Sequence, residues 1–325
     1  MFTHKDIESR TIFVINCIDH NRNLRVSNGE LLLEEISEDK KTTLTKMPFQ
    51  KILALFVIGH MSITTPLIEK CKKHGVALVV LKSNLRPVFY WAESVEGNYL
   101  LRQRQYTFSL ENISIAKILI QNKISNQLAV LRKTRKKDAL TTDAIGICCA
   151  ALDTIDAVDT HAQLMGLEGV VSKAFFATYF QDLKWKGRHP RVKTDEINVT
   201  LDIGYTILFN YTESFVRLFG FDIYVGVYHR LWYNRKSLIC DLMEPFRCII
   251  DHCVLLAFHR NQFSVKDFSF SKGEYYLKRE KSVDYYRVFY DALIAYKMDI
   301  FKYVQQYYRC FMGGKVASSY PIFRF

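Results

Sequence analysis

One change of hydrophobic period, near Gly97, constrains the fold of this chain more than any other feature of its sequence. Before it, apolar residues come in short runs that are β-branched or alternate with polar residues: RTIFVINC (10–17), NLRVSNGELLLEEI (23–36), KTTLTKMP (41–48) and QKILALFVIG (50–59). The segments between them, DHNRN, SNGE and SEDKK, have turn chemistry, so these runs read as strands. TTPLIEKCKKHG (64–75) has helical spacing, with Pro66 near its start and Gly75 as a stop. VALVVLK (76–82) returns to strand, and RPVFYWAE (86–93) is a last strand or a connecting arm. After Gly97 apolar residues recur three and four apart almost to the end, as in ISIAKILIQNKISNQLAVLRKTRK, QLMGLEGVVSKAFFATYF and DYYRVFYDALIAYKMDIFKYVQQYYRCF. No repeat and no low-complexity linker interrupts the pattern. The fold class is α+β: a small N-terminal, mostly β domain (1–90), a linker (91–98) and a larger all-helical domain (99–325).

The chain has 325 residues, 49% of them hydrophobic, enough to bury a sizeable core. Its longest apolar runs, such as IGICCAAL, are too short to cross a bilayer. The polar start MFTHKDIESR does not read as a targeting segment. A cytoplasmic location is therefore expected, with no membrane partner, and the scattered cysteines suit a reducing compartment. Cys240, Cys248, His252 and Cys253 lie close in sequence, but their spacing matches no zinc pattern.

Charge is placed unevenly. Residues 1–98 carry 13 Lys/Arg against 11 Asp/Glu, and the rest of the chain carries 32 against 22. Three basic stretches stand out there: LLRQRQY (100–106), RKTRKK (132–137) and KWKGRHPRVK (184–193). One charged run is usually a solvated helix face. Several in a strongly basic region point to a polyanion, with nucleic acid first and an anionic membrane surface as the weaker alternative.

Within this basic region a few acids stand in apolar settings. Glu168, in LMGLEGVVSK, has Leu164, Met165, Val171 and Ser172 as helical neighbours. It is either a helix-edge residue that reaches water or a lysine, or a buried carboxylate that needs a cation. Asp241 and Glu244, in DLMEP, are either a capping-box-like helix start or two acids on one stripe, with Arg247 one turn beyond. His229 closes GFDIYVGVYH, and a lone histidine beside an apolar stretch is ordinarily structural. No phosphate-binding glycine loop, HExxH or GxSxG pattern is present.

In their order along the chain these stretches resemble the CRISPR-associated spacer-acquisition integrase/endonuclease family ("Cas one"). FQKILALFVIGHMSITTPLIEKCKKHGVALVVL is similar to its β-domain signature, and GNYLLRQRQY with KISNQ to the entry of its helical domain. LEGVVSKAFF, GFDIYVGVYH and SLICDLMEPFR resemble its three catalytic motifs, and RHPRVKTDEINVTLDIGYTIL its basic loop and following helix. The resemblance implies one divalent metal, Mg²⁺ or Mn²⁺, held by Glu168, His229 and Glu244, with Asp241 as a supporting acid of the catalytic set. It implies DNA contacts at Arg188, Arg191, Asn198 and Arg247, and the neighbouring Lys184 and Lys186 are expected to join them. One departure is the aromatic pair after the first acid, often Tyr-Phe in the family but Phe175–Phe176 here.

The implied reaction is transesterification, in which the 3′-hydroxyl of a captured DNA fragment attacks a phosphodiester at the edge of a repeat. Water in place of the hydroxyl gives cleavage. The implied partners are double-stranded DNA (captured fragment and repeat array), a second copy of the chain dimerising through the β domain, and the small adaptation protein "Cas two". Two other classes stay open: a non-catalytic DNA-binding scaffold whose acids only cap helices and pair with arginines, and a general structure-specific nuclease. The metal reading requires Glu168, His229 and Glu244 to converge on a shared cation. Any of the three on a remote surface, or a lysine filling that gap, would end the metal reading.

Overall fold

A computed structural model describes residues 3–37, 40–92, 98–108, 112–135, 138–183, 185, 187–229 and 232–325. The described chain opens with a short helix α1 (His4–Ser9), followed by β1 (Thr11–Cys17), β2 (Arg22–Ser27), β3 (Glu30–Ser37), β4 (Lys40–Pro48) and β5 (Ile52–Gly59). Next come α2 (Thr65–His74), β6 (Ala77–Leu81) and β7 (Pro87–Trp91). From there the elements are α3 (Tyr99–Thr107), α4 (Ser114–Lys133), α5 (Ala139–Thr154), α6 (His161–Tyr179), α7 (Glu196–Arg217), α8 (Ser237–Met243) and α9 (Arg247–His259). A hairpin of β8 (Phe268–Ser271) and β9 (Glu274–Leu277) precedes α10 (Ser282–Ala295) and α11 (Lys297–Met312). A β-rich region followed by a mostly helical one is the architecture expected from the change of period. Helix α1 and the hairpin are additions to that reading.

The N-terminal strands form two sheets. One has the order β1-β5-β6-β7, parallel except for the last pair; the other is the antiparallel meander β2-β3-β4. Asn28 and Gly29 both take positive φ between β2 and β3, the tight hairpin turn that Asn-Gly favours. Helix α2 begins with Pro66 in its first turn and ends on Gly75 at φ 64°, as its sequence requires.

Strand β5 shows how the regions are joined. It is buried on both faces, and its side chains alternate between two interiors. Leu55 and Val57 pack with Leu24, Leu31 and Leu67 beneath the meander and α2. Phe56 and Ile58 point the other way, into the core of the helices. There Phe56 stacks on Tyr211 of α7 (ring centroids 6.4 Å apart) and meets Tyr290 of α10 at 5.5 Å. Helix α7 is the axis of the helical part, buried along most of its 22 residues. A Cβ at Gly204 would come within 2.5 Å of Ile250 and 2.7 Å of Phe289, so this glycine permits the close crossing of α7 with α9 and α10.

The last residues of the chain lie against α4. Asn122 donates to the Phe323 carbonyl and accepts from the Phe323 N–H, and Asn126 accepts from the Phe325 N–H. Among the described residues no helix is long and apolar enough to cross a membrane.

Candidate functional site

Side chains widely separated in sequence meet along a cleft of about 1320 Å³ in the helical region. Helix α6 starts at a capping box between Thr160 and Gln163, which places Glu168 two turns in, facing the cleft. Helix α8 starts at Ser237, so Asp241 lies one turn in and Glu244 follows the last residue of the helix, as its C-cap; neither acid caps its start. Pro245 has no N–H to donate, and the helix tightens into a 3₁₀ turn (Glu244–Phe246) before α9 begins at Arg247. Asn126 of α4 holds this turn by donating to the Pro245 carbonyl at 2.9 Å.

Asp241 is fully buried and its carboxylate is fully engaged. Oδ2 accepts the backbone N–H groups of Val227 and Tyr228, at 2.6 and 3.0 Å, and Oδ1 accepts that of His229 at 2.9 Å. Oδ1 also receives Nδ1 of the His229 ring at 2.7 Å. The loop before His229 can wrap the carboxylate this closely because residue 226 is glycine; a Cβ there would collide with Asp241 Oδ2. That is the physical content of the glycine three residues before the histidine. Asp241 thus orients His229, whose Nδ1–H donates to the carboxylate while Nε2 points away from it.

The two remaining acids meet at a cation, and that cation is an ammonium. Lys123 Nζ, from α4, lies 2.5 Å from Glu168 Oε1 and 2.7 Å from Glu244 Oε2. Ser172 also donates to Glu168 Oε1, at 2.8 Å. Arg247 Nε is 2.9 Å from Glu244 Oε2, and its guanidinium lies over the Tyr205 ring at 4.6 Å. Glu244 Oε2 is buried, and neither cation approaches it with hydrogen-bond geometry. Burial alone would raise the Glu244 carboxyl; Arg247 first, then Lys123 and His229, outweigh it and hold it at about 2. Burial likewise opposes the charge on Glu168, and Lys123 reverses it. Lys123 is pushed down by burial and brought back above its ordinary value by the two carboxylates. All three groups are therefore charged at neutral pH.

The types of donor suit a hard divalent ion: two carboxylates, one of them with an undirected buried oxygen, and an imidazole nitrogen held by a carboxylate behind it. The expected convergence of Glu168, His229 and Glu244 is found only in part. The two acids converge, but on Lys123: a lysine fills the gap, the arrangement that ends the metal reading unless its ammonium can be displaced. His229 lines the same cleft, yet among the described residues no three His, Cys, Asp or Glu side chains gather closely enough to hold an ion. Lys123 was missed in the sequence, although a signal was there: it is a lysine on the stripe of α4 that carries buried Leu119, Ile120 and Gln127.

Arg188, Arg191 and Arg247 all line the cleft, with Lys173, Lys193 and Arg235. Arg188 is anchored by Asp202 at 2.5 Å and by Asn198 Oδ1 at 3.0 Å. Asn198, expected near DNA, has a different job. It is fully buried, accepts from Arg188 and from the His189 N–H, and donates to the Gly187 carbonyl and Asp195. It shapes the loop that presents the arginines and does not itself reach the surface. Lys184 and Lys186 lie outside the described residues. So does the end of the RKTRKK run, Lys136 and Lys137. The Phe175–Phe176 pair packs into an aromatic cluster with Tyr179, Phe180 and Trp185.

Asp251, one turn beyond Arg247 on α9, is a second buried acid of the cleft. Burial pushes its carboxyl up to about 7, against the pull of the Tyr205 hydroxyl that donates to it and the charge of Arg247. The folded protein then keeps this proton over a range where the unfolded chain, near 3.8, has lost it. Stability from this group is greatest below pH 4, falls as pH rises towards 7 by about 4 kcal/mol, and is level above. Asp251→Asn is expected to match the wild type in urea unfolding near pH 4 and to be clearly more stable at pH 8. Equal stability of the two proteins at pH 8 would contradict a protonated Asp251.

Comparison with known proteins gives concordant matches. The family model described as "CRISPR associated protein Cas1" matches residues 17–290. A curated relative from Thermodesulfovibrio yellowstonii, named "CRISPR-associated endonuclease Cas1 1", is 31% identical over 256 residues, covering 75% of this chain and 80% of its own. Among solved structures, a chain of a "Cas6-RT-Cas1–Cas2 complex" superposes with a TM-score of 0.77 at 18% identity, covering 97% of this chain and 36% of the other. A "Casposase bound to integration product" superposes with a TM-score of 0.75 at 20% identity, covering 97% and 96%. These two structural matches show likeness of fold.

Proposed function

The chain belongs to the family of the CRISPR-associated protein Cas1, and from that premise we propose that it is a DNA integrase and endonuclease of CRISPR adaptation. It inserts short DNA fragments at a repeat by attack of a fragment's 3′-hydroxyl on a phosphodiester. The observation that carries the reading is the meeting of two carboxylates from distant helices, Glu168 and Glu244, at one cationic point in a basic cleft. A divalent ion, Mg²⁺ or Mn²⁺, held by Glu168, Glu244 and Nε2 of His229 would supply Lewis-acid stabilisation of the charge that develops on the transferred phosphoryl oxygens.

The other roles belong to the chain itself. Asp241 holds His229 in place, with the proton on Nδ1. Arg247, stacked on Tyr205 and paired with Glu244, grips a phosphate beside the acids. Arg188 and Arg191, on the loop organised by Asn198 and Asp202, follow the sugar-phosphate backbone and set register without reading bases. Lys184 and Lys186, in the same basic stretch of the sequence, would add phosphate contacts. When water replaces the 3′-hydroxyl, the same site cuts DNA.

The named relatives in complexes with Cas2 or with an integration product support double-stranded DNA and a Cas2-type protein as partners. The division of labour we propose is dimerisation by residues 1–90, connection by 91–98, and chemistry with DNA binding by 99–325.

A second reading has an observation in its favour. Lys123 and Arg247 already neutralise the two acids, as they would in a non-catalytic scaffold. One assay separates the readings. The protein is incubated with Mn²⁺, a short duplex with free 3′ ends and a plasmid carrying a repeat array. Products joined at the repeat boundaries are expected, and a blocked 3′ end is expected to abolish them. Cleavage without joining would leave a general nuclease, and neither product would leave the scaffold.

A further inference from the structure

We infer that Lys123 is a built-in counter-cation of the catalytic acids, and that its ammonium and a divalent ion exclude one another from the position between Glu168 and Glu244. This rests on the metal-dependent reading above and adds a control to it. The geometry leaves no room for both. Nζ sits 2.5 and 2.7 Å from the two carboxylate oxygens, and a divalent ion bridging them would need those oxygens at about 2.0–2.2 Å. Charge argues the same way. Glu168 and Glu244 carry two negative charges, and Lys123 and Arg247 carry two positive ones. Adding a divalent ion to a neutral, buried cluster leaves a large uncompensated charge; releasing the ammonium removes part of it.

Of the two cations, Lys123 is the one able to leave. Both line the cleft, but Arg247 is held over the Tyr205 ring, whereas Lys123 ends in a compact ammonium on a flexible stem. Ser172 remains on Glu168 when Lys123 departs and keeps that carboxylate oriented.

The displaced ammonium swings towards the space where Arg188, Arg191 and Arg247 would hold phosphates. A DNA phosphate there favours the displaced position, so DNA and metal bind cooperatively, each tightening the other by the same factor. Without DNA the ion binds only to the fraction of molecules in which Lys123 is out. If the ion pair favours the inward position tenfold, apparent metal affinity is about tenfold weaker than intrinsic.

The test is Mn²⁺ binding to the full chain, read by electron paramagnetic resonance, for the wild type, Lys123→Met and Glu168→Gln, each with and without duplex DNA. Lys123→Met is expected to bind Mn²⁺ about tenfold more tightly than the wild type without DNA. Duplex should tighten the wild type and add little to the variant. Equal or weaker binding by Lys123→Met overturns the inference, because a lysine that merely arranges the acids would be missed when removed. Glu168→Gln should bind poorly in every case. If it binds as the wild type does, or if no protein binds Mn²⁺, it is the metal reading itself that fails. Should Lys123→Met not fold alone, refolding in Mn²⁺ decides the matter: recovery of the folded state supports the competition, and failure to recover counts against it.

Discussion

Glu168→Gln, His229→Ala and Glu244→Gln should each lower strand joining by about a thousandfold or more, roughly 4 kcal/mol of transition-state stabilisation. Affinity for duplex DNA, measured by gel shift in the absence of metal, should stay within about twofold, because phosphate contacts come mainly from basic side chains. The two readouts must be taken together. Removing the charge at Glu244 leaves Lys123 and Arg247 short of a partner in a buried place, and breaking a buried pair in this way costs about 3–5 kcal/mol of stability. Circular dichroism at the assay temperature therefore has to show a folded protein. His229→Ala is the cleanest of the three, since that side chain is part-exposed and, of the three groups that hold Glu244 ionised, weighs least. Three folded variants that bind DNA and still join it would remove the metal assignment altogether.

Asp241→Ala should be as destabilising as any single change in the site, by about 3–5 kcal/mol. Its carboxylate accepts the N–H groups of three successive residues and a histidine ring, all within a fully buried setting. Alanine strands those donors, which belong to a largely buried loop. Asparagine keeps the volume but turns one acceptor into a donor that faces N–H groups, so it should recover only part of the loss. Urea unfolding at pH 7 measures both. A variant within 1 kcal/mol of the wild type would mean that the 225–229 loop does not depend on this carboxylate. Joining should fall as well, even where the protein is held folded by low temperature, since His229 loses the group that fixes its proton on Nδ1.

The broad architecture was legible because its signals are periodic and long. Strand β5 is almost unbroken apolar residues, α2 carries Pro66 and Gly75 at its two ends, and the helices of the second region keep apolar residues three and four apart. Helix α1, six residues long, and the hairpin at 268–277, with four-residue strands, give too little pattern to be seen. In the site, resemblance to the family's motifs pointed to Glu168, His229, Asp241 and Glu244, but not to how their charges are balanced. Whether a carboxylate meets a metal or an ammonium depends on which helix lies across from it, and Lys123 lies 45 residues before Glu168. For Asn198 the motif gave the position, while burial decided the role: a fully enclosed amide can organise a loop but cannot meet DNA.

Strand β5 has a mechanical consequence. A wall one strand thick divides the two hydrophobic interiors, so volume added on one side has to be absorbed on the other. Enlarging Val57, beneath the meander, would press the backbone that carries Phe56 against Tyr211 and Tyr290. Packing errors far from the cleft would then be felt along α7, the helix whose first turns carry Asn198, Asp202 and Tyr205.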